Sequence, residues 1–587
     1  MVPSAAKIAR HMKETPMNVS ATVRPLVLLS TAAALLAGCA GMPWARPKVD
    51  AEAACAALMA PIPAAAISLP SGGAVIESAT LLPASSLTLA NPLPFIPPPP
   101  EAVVVPATPQ YCKVLGAIQP VDPAAPPIRF QVNLPTPWNG RSLQLGGGGF
   151  NGVLVNPGAL PPSGRIDQPS PLARGFVTVG TDSGHQNSPS VPLQAFALND
   201  EALVNFAHAS YKKVRDVSVE LMKRRYGQPP LRSYFMGSSE GGREGLTMAQ
   251  RYPQDFDGIF ARVPVINWMG LQAAGTRMGT TQMGEGWLSP AHVKLVHDAV
   301  LGKCDALDWL SDGVVGNPQA CHANFDPASL RCIAPVTTGC LNEAQVEALR
   351  TLHSPYEFSF ALANGVRSYP GWAWGGEGAS GTGPVGGYVS WQTGSAPQTY
   401  PAGAGTSRAW LYGSGALQYF VARNVDFDPR TFKPEDRAQR VLEISQLMDS
   451  TDPDLSAFKA RGGKLVMSEH LADYAQSPYA GIEYYRSVVA KMGQPAADDF
   501  LRLYTTPGAD HVGTGAPVGI DMLQVLVDWV EHGRAPLDLV QVSLEAVPPY
   551  PVTASRPMCR WPAVLRYRGH GDKERASSFE CARSATQ

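Results

Sequence analysis

Ser239 stands at the centre of Gly237-Ser238-Ser239-Glu240-Gly241, directly after the apolar run Ser233-Tyr234-Phe235-Met236 and before a helical pattern through Leu246 to Arg251. A strand that turns sharply into a helix at G-x-S-x-G lifts one hydroxyl clear of the sheet, and its neighbours must be small because the turn packs on other backbone. The helix N-terminus also sets positive backbone dipole where an oxyanion would develop. This pattern suits nucleophilic attack on a carbonyl carbon. Ser239 occupies the central place and Ser238 the flanking one, so Ser239 is the expected nucleophile.

A serine needs a base, and the base an orienting acid, which in this arrangement follow in the order Ser, acid, His. His511 follows the strand pattern Leu501–Tyr504 in a small-residue loop, Pro507-Gly508-Ala509-Asp510-His511-Val512-Gly513-Thr514-Gly515. His532 ends a helical pattern, where capping explains it, and His570 lies between Cys559 and Cys581. The expected acid is Asp473, after the strand pattern Lys464–Met467 and 38 positions before His511. Glu469 and Asp510 compete, the first close to the strand and the second adjacent to His511. Gly146-Gly147-Gly148-Gly149 after Ser142–Leu145 offers N–H groups for an oxyanion, with Gly147, Gly148 and the N–H of Glu240 as expected donors. The tetrad lacks the G-K-[ST] sequel of a phosphate cradle.

Elements able to position these residues are visible as an alternation. Apolar strand patterns at Ser142–Leu145, Phe176–Gly180, Ser233–Met236 and Gly258–Val263 alternate with helical patterns at Leu203–Arg225 and after Gly241. The alternation predicts a mostly parallel sheet covered by helices. It breaks over residues 265–460, which are Gly/Trp-rich and irregular, and resumes at Lys464–Met467, Pro478–Met492, Leu501–Tyr504 and Met522–Glu531. The expected organisation is therefore a core of residues 111–264 and 461–587 interrupted by a second domain at 265–460. Residues 40–110 are an Ala/Pro-rich tether and extension.

The 587 residues carry a formal net charge of −1, with 45% hydrophobic and 16% charged residues, 56 Gly and 56 Pro. That composition excludes general disorder, and the lack of a Lys/Arg block excludes the footprint of a nucleic-acid binder. A small-molecule site is expected. Arg24 precedes an apolar run from Leu26 to Leu36 and then Ala37-Gly38-Cys39, so residues 1–39 read as an export signal. Leu36-Ala37-Gly38-Cys39 resembles the bacterial lipobox, which implies lipidation of Cys39 and an outer-membrane lipoprotein facing periplasm or cell surface, or otherwise a periplasmic or secreted protein. Nine cysteines are an odd number, and lipidation accounts for one. Proximity pairs the rest as Cys304–Cys321, Cys332–Cys340, Cys559–Cys581 and, by remainder, Cys55–Cys112.

Asp305, Asp308 and Asp312 fall within eight residues between Cys304 and Cys321. Three carboxylates so close either face water or gather a hard cation such as Ca²⁺. Trp372, Trp374, Trp391 and Trp410 could stack an aromatic group or fill a core, and Arg408 beside Trp410 could meet a carboxylate or water.

Gly146–Gly152, Thr181-Asp182-Ser183-Gly184-His185, Gly237–Arg243, Cys304-Asp305-Ala306-Leu307-Asp308, Gly463–Asp473, His511 and the Cys559–Cys581 tail together resemble the tannase and feruloyl esterase family of serine esterases. The resemblance implies an α/β-hydrolase fold with a large inserted lid domain and Ser239, Asp473 and His511 as the triad. It also implies structural Ca²⁺ on Asp305, Asp308 and Asp312 with the carbonyls of Leu310 and Val314, and no organic cofactor. The implied substrates are esters of aromatic acids: gallates, hydroxycinnamates or terephthalate monoesters. A peptidase of this fold and a ligand-binding lipoprotein without turnover are the alternatives. One departure stands out. The family usually has Cys before the nucleophile and Cys after the base, joined as a disulfide, where this chain has Ser238 and Val512.

Overall fold

The computed structural model describes residues 50–86, 88–89, 104–105, 107–380 and 386–583. The segment expected to be an export signal, Cys39 and part of the Ala/Pro-rich stretch lie outside the described residues. Eleven strands form one sheet. In chain order they are β1 Ala74–Leu82, β2 Tyr111–Ile118, β3 Ile128–Pro135, β4 Arg141–Leu145, β5 Val177–Thr181, β6 Arg232–Ser238, β7 Gly258–Arg262, β8 Lys464–His470, β9 Leu501–Thr506, β10 Leu539–Leu544 and β11 Val552–Arg560. In space they run β1-β2-β3-β5-β4-β6-β7-β8-β9-β11-β10. The central strands from β5 to β9 are parallel throughout, and antiparallel strands close both edges.

Parallel strands buried on both faces need continuous apolar runs, and β6 through β9 supply them. Phe235, Ile259, Leu465, Met467 and Leu503 pack on one face with Leu246, Ile482 and Tyr485. These last side chains belong to helices α2 Glu240–Arg251 and α6 Pro478–Met492. Tyr234, Met236, Phe260, Val466 and Tyr504 point the other way, against Leu523, Leu526 and Trp529 of α7 Met522–His532. The alternation along β6 is the period-two rule of a strand. Burial of each such side chain contributes about 1.5–3 kcal/mol, so the strands that carry the site are held on both sides. The helix α1, Ser210–Tyr226, continues a short helix at Asp200–Val204 through a π turn at Asn205–Ala209, so the single helix expected there is two joined by a bulge. The pair β10 and β11 was not part of the expected alternation. Its strands are only half-buried and carry polar side chains, as edge strands do.

The chain leaves the sheet after β7 and returns at β8, and these two strands are hydrogen-bonded neighbours. Everything between them therefore rises from one point on the sheet's rim. It includes α3 Trp268–Thr281, α4 Pro290–Cys304 and α5 Arg408–Ala416. Helices α3 and α5 approach closely because glycines line the contact: a Cβ on Gly275 would lie 2.9 Å from the Ala409 carbonyl oxygen, and one on Gly279 2.5 Å from the Trp410 ring. Disulfides join Cys304 to Cys321 and Cys332 to Cys340 in this segment, Cys55 to Cys112 beside β2, and Cys559 to Cys581 in the tail. Four bridges belong to a protein that folds in an oxidising compartment.

Candidate active site

Each principal side chain of the site leaves the C-terminal end of a parallel strand or the loop after it, the edge where open α/β sheets build their sites. Ser239 sits between β6 and α2 with φ 60° and ψ −122°, a strained conformation for a residue with a side chain. Its N–H donates to the Arg262 carbonyl at 3.0 Å, and its own carbonyl accepts from Val265 and Arg243. Close approach dictates the flanking glycines: a Cβ on Gly237 would lie 2.1 Å from the Gly241 oxygen, and one on Gly241 2.6 Å from the Gly147 oxygen.

His511 Nε2 lies 3.0 Å from Ser239 Oγ, and His511 Nδ1 lies 2.8 Å from Asp473 Oδ2. Asp473 Oδ1 accepts the N–H groups of Ala475 and Gln476 at 2.7 and 3.1 Å, so the carboxylate is fixed at both oxygens. Asp510 is occupied elsewhere. It accepts from the N–H groups of Val512, Gly513 and Thr514 and from the Thr514 hydroxyl, and so shapes the loop that carries His511. Glu469 is fully buried, takes a hydrogen bond from Gln476, and is pushed well above the usual carboxylate range by burial and then by Asp473. His532 ends α7, and His570 is exposed in the tail.

The turn after β4 requires a correction. The Gly147 N–H donates to Glu244 Oε2 at 3.0 Å and is not free to hold an oxyanion. Glu244 also accepts from Asn151 and Tyr211, so a buried network braces this turn. The Gly148 N–H has no partner among the described residues, and the Glu240 N–H, first in α2, has no helical acceptor. These two remain as the candidate donors. The Glu240 side chain points away into the interior, where Arg243 Nε donates to its Oε1 at 2.7 Å. Burial pushes the Glu240 carboxyl up, and the Arg243 guanidinium opposes it.

A cavity of about 430 Å³ opens over Ser239 and His511. Its apolar wall is Phe150, Trp268, Leu271, Trp391, Tyr412 and Val512, while Ser238, Arg262 and Gln476 make it polar near the base. Of the tryptophans weighed from sequence, Trp391 lines the cavity. Trp410 does not: it is fully buried between α3 and α5, with its indole N–H donated to the Thr399 carbonyl. Trp372 and Trp374 are buried in the inserted segment, Trp374 stacked on His353. Arg408 begins α5, outside the cavity lining. Asp182 and His185 fix loops: Asp182 accepts from Arg129 and Gly184, and His185 Nε2 meets the Phe150 carbonyl oxygen. Phe150, Trp268, Tyr412 and Arg262 were missed from sequence. Phe150 was detectable, being the residue that follows the glycine tetrad.

In the acidic loop, Asp305 accepts the N–H groups of Asp312 and Gly313, Asp308 that of Leu310, and Asp312 that of Val314. Burial, with Asp312 and Asp305 nearby, pushes Asp308 up to about 7. Hard oxygen donors of this kind suit Ca²⁺. Among the described residues, though, no three His, Cys, Asp or Glu side chains are gathered so as to hold a metal ion.

The chain has known relatives. A protein of Agrobacterium fabrum named as an uncharacterized esterase is 38% identical over 91% of this chain and 94% of its own length. Mono(2-hydroxyethyl) terephthalate hydrolase of Piscinibacter sakaiensis is 34% identical over 81% of this chain and 85% of its own. Among solved structures, feruloyl esterase B from Aspergillus oryzae superposes with a TM-score of 0.70 at 25% identity, covering 91% of this chain and 100% of that one. The sheet order, helices on both faces and strand-to-helix serine turn are those of the α/β-hydrolase fold. The family model for tannase and feruloyl esterase matches residues 112–582, and the chain belongs to that family of ester hydrolases.

Proposed function

We propose that the protein is a serine carboxylic ester hydrolase that cleaves esters of aromatic acids through an acyl-enzyme. The observation that carries this is the continuous line from Asp473 through His511 to Ser239, at 2.8 and 3.0 Å. Ser239 Oγ attacks the ester carbonyl carbon as His511 Nε2 takes the hydroxyl proton. Asp473 holds the tautomer with Nδ1 protonated and stabilises the imidazolium. The N–H groups of Glu240 and Gly148 receive the oxyanion. When the carbon–oxygen bond to the alcohol breaks, His511 returns the proton to the leaving oxygen. Water then attacks the acyl-enzyme by the same route, releasing the acid and restoring Ser239. The aromatic wall of Phe150, Trp268, Trp391 and Tyr412 supports a flat acyl group, and relatives named as a mono(2-hydroxyethyl) terephthalate hydrolase and a probable feruloyl esterase point the same way.

The test is covalent capture. A fluorophosphonate should add one equivalent to the protein, on the peptide carrying Ser239, and Ser239→Ala should remove the adduct. The unlabelled enzyme should turn over at least one of ethyl ferulate, methyl gallate and mono(2-hydroxyethyl) terephthalate. An adduct on another residue, or none in folded protein, counts against the serine mechanism.

We also propose that Ca²⁺ stabilises the loop of Asp305, Asp308 and Asp312, with main-chain oxygens of Leu310 and Val314. What supports this is three acidic side chains in one loop, Asp308 only 7% exposed and none of them in an ion pair among the described residues. To bind, the side chains must turn from the N–H groups they now accept. No catalytic step runs through the ion. At fixed pH, saturating Ca²⁺ should stabilise chelator-treated protein by about 3–4 kcal/mol in denaturant unfolding, the range expected at 100 to 1,000 times Kd. Asp308→Asn should cancel the gain. An equal midpoint with calcium and with chelator would sink the idea.

A further inference from the structure

Arg262 ends β7, and its side chain reaches the wall of the active-site cavity beside Ser238, His511 and Val512. Its Nε donates to Ser238 Oγ at 2.9 Å, which fixes the plane of the guanidinium. Among the described residues its two Nη groups meet no acceptor and it forms no ion pair. The carboxylates that attract it from farther away are already engaged: Asp473 by His511 and two N–H groups, Asp510 by the turn after it. The other titratable neighbour, His470, gives its Nδ1 to the Asp510 carbonyl and offers no charge to balance the cation. A guanidinium set in a cavity wall without a counter-ion carries an unrecovered desolvation cost. An anion in the cavity would remove it.

The position of the cation says which part of an ester the anion belongs to. Arg262 Nη1 lies 3.2 Å from where a Cβ on Gly513 would stand, so it reaches the turn that carries His511. His511 Nε2 is the atom that hands a proton to the departing oxygen, and the space beside it belongs to the leaving alcohol. Ser238, where the family usually has the cysteine of a disulfide, is here the hydroxyl that orients this guanidinium. We propose that Arg262 forms a carboxylate subsite on the leaving-group side, so that the preferred substrates are aromatic-acid esters of alcohols that themselves bear a carboxylate. Planar guanidinium and carboxylate match edge to edge, and the Nε anchor leaves the Nη edge free for that contact. This rests on the serine esterase reading above. The reaction is plain hydrolysis: the ester takes up one water and yields the aromatic acid and a hydroxy acid.

The test uses two esters with the same acyl group and leaving groups of equal size, feruloyl glycolate and its neutral counterpart feruloyl glycolamide. Wild type should favour the glycolate in kcat/KM by roughly 10- to 100-fold, the range for a charge-assisted hydrogen bond. Arg262→Met should bring the ratio to about one, and Arg262→Lys should fall between. A wild-type ratio of one or less, or a ratio that Arg262→Met leaves unchanged, overturns the subsite. If Arg262→Met does not fold, wild type alone decides: free glycolate should inhibit hydrolysis of the glycolamide ester, less so as salt rises, and free glycolamide should not. Equal inhibition by the two overturns it. With the acyl group matched to whichever of ferulate, gallate and terephthalate the enzyme cleaves, turnover of neither ester overturns the subsite, and turnover that survives Ser239→Ala overturns the esterase mechanism and the subsite with it.

Discussion

Ser239→Ala should lower kcat on the protein's best ester by about 10⁴- to 10⁶-fold and leave the fold intact, the loss expected if Ser239 is the nucleophile. The size follows from what the hydroxyl does. Ser239 Oγ lies 3.0 Å from His511 Nε2, where it can give up its proton and bond to a carbonyl carbon, and Ser238 Oγ is held instead by Arg262. The fold should survive because the backbone at φ 60° is imposed by the packing of Gly237 and Gly241, and alanine suffers that strain no more than serine does. Asp473→Asn should cost nearly as much, about 10⁴-fold, by presenting the wrong tautomer of His511. Steady-state kinetics on the three proteins, with circular dichroism as the control for folding, measure both. Turnover by Ser239→Ala within tenfold of wild type would end the assignment.

The serine turn was legible because all its determinants are contiguous: an apolar strand, glycines on both sides of the serine, and a helix after it. The proposed acid and base were legible only through chain order. What separates Asp473 from Asp510 is that three successive N–H groups, of Val512, Gly513 and Thr514, capture the Asp510 carboxylate, a fact of loop geometry with no trace in residue type. The donors on the glycine turn failed in the same way. Whether Gly147 or Gly148 keeps its N–H free is decided by Glu244, 97 residues further along the chain. The aromatics of the inserted segment were ambiguous because a tryptophan fills a helix contact as readily as it lines a cavity. For Trp410 the deciding feature is Gly279 on α3, which leaves room for the indole ring. Arg262 was invisible since its meaning depends on an acceptor on the neighbouring strand and on its forming no ion pair among the described residues.

The second large effect is expected in the interior below the site. Arg243→Met should destabilise the protein by about 3–5 kcal/mol, the cost of leaving one member of a buried ion pair alone. Arg243 is fully buried and Glu240 2% exposed. The guanidinium holds Glu240 and also donates to the Ala207, Met448 and Phe206 carbonyl oxygens, tying α2 to the turn before α1 and to the inserted segment. Methionine keeps much of the volume and none of these bonds. Because the Glu240 N–H is one of the two proposed oxyanion donors, a shift at this helix start should also lower kcat by about tenfold or more. The loss should depend on pH with a definite sign. Without the cation, burial and then the Glu244 carboxylate act on Glu240 and hold its folded pKa above the unfolded value of 4.5. The variant is then most stable where the carboxyl is protonated, and loses stability as pH rises through the folded value, so its deficit against wild type is larger at pH 8 than at pH 5. Glu240→Gln added to Arg243→Met should recover part of the loss at pH 8 and little at pH 5, since the amide has no proton to give up. Denaturant unfolding of the four proteins at both pH values closes the cycle. A deficit below about 1 kcal/mol, or one that is flat with pH, would mean that the carbonyl contacts rather than the ion pair hold this corner of the fold.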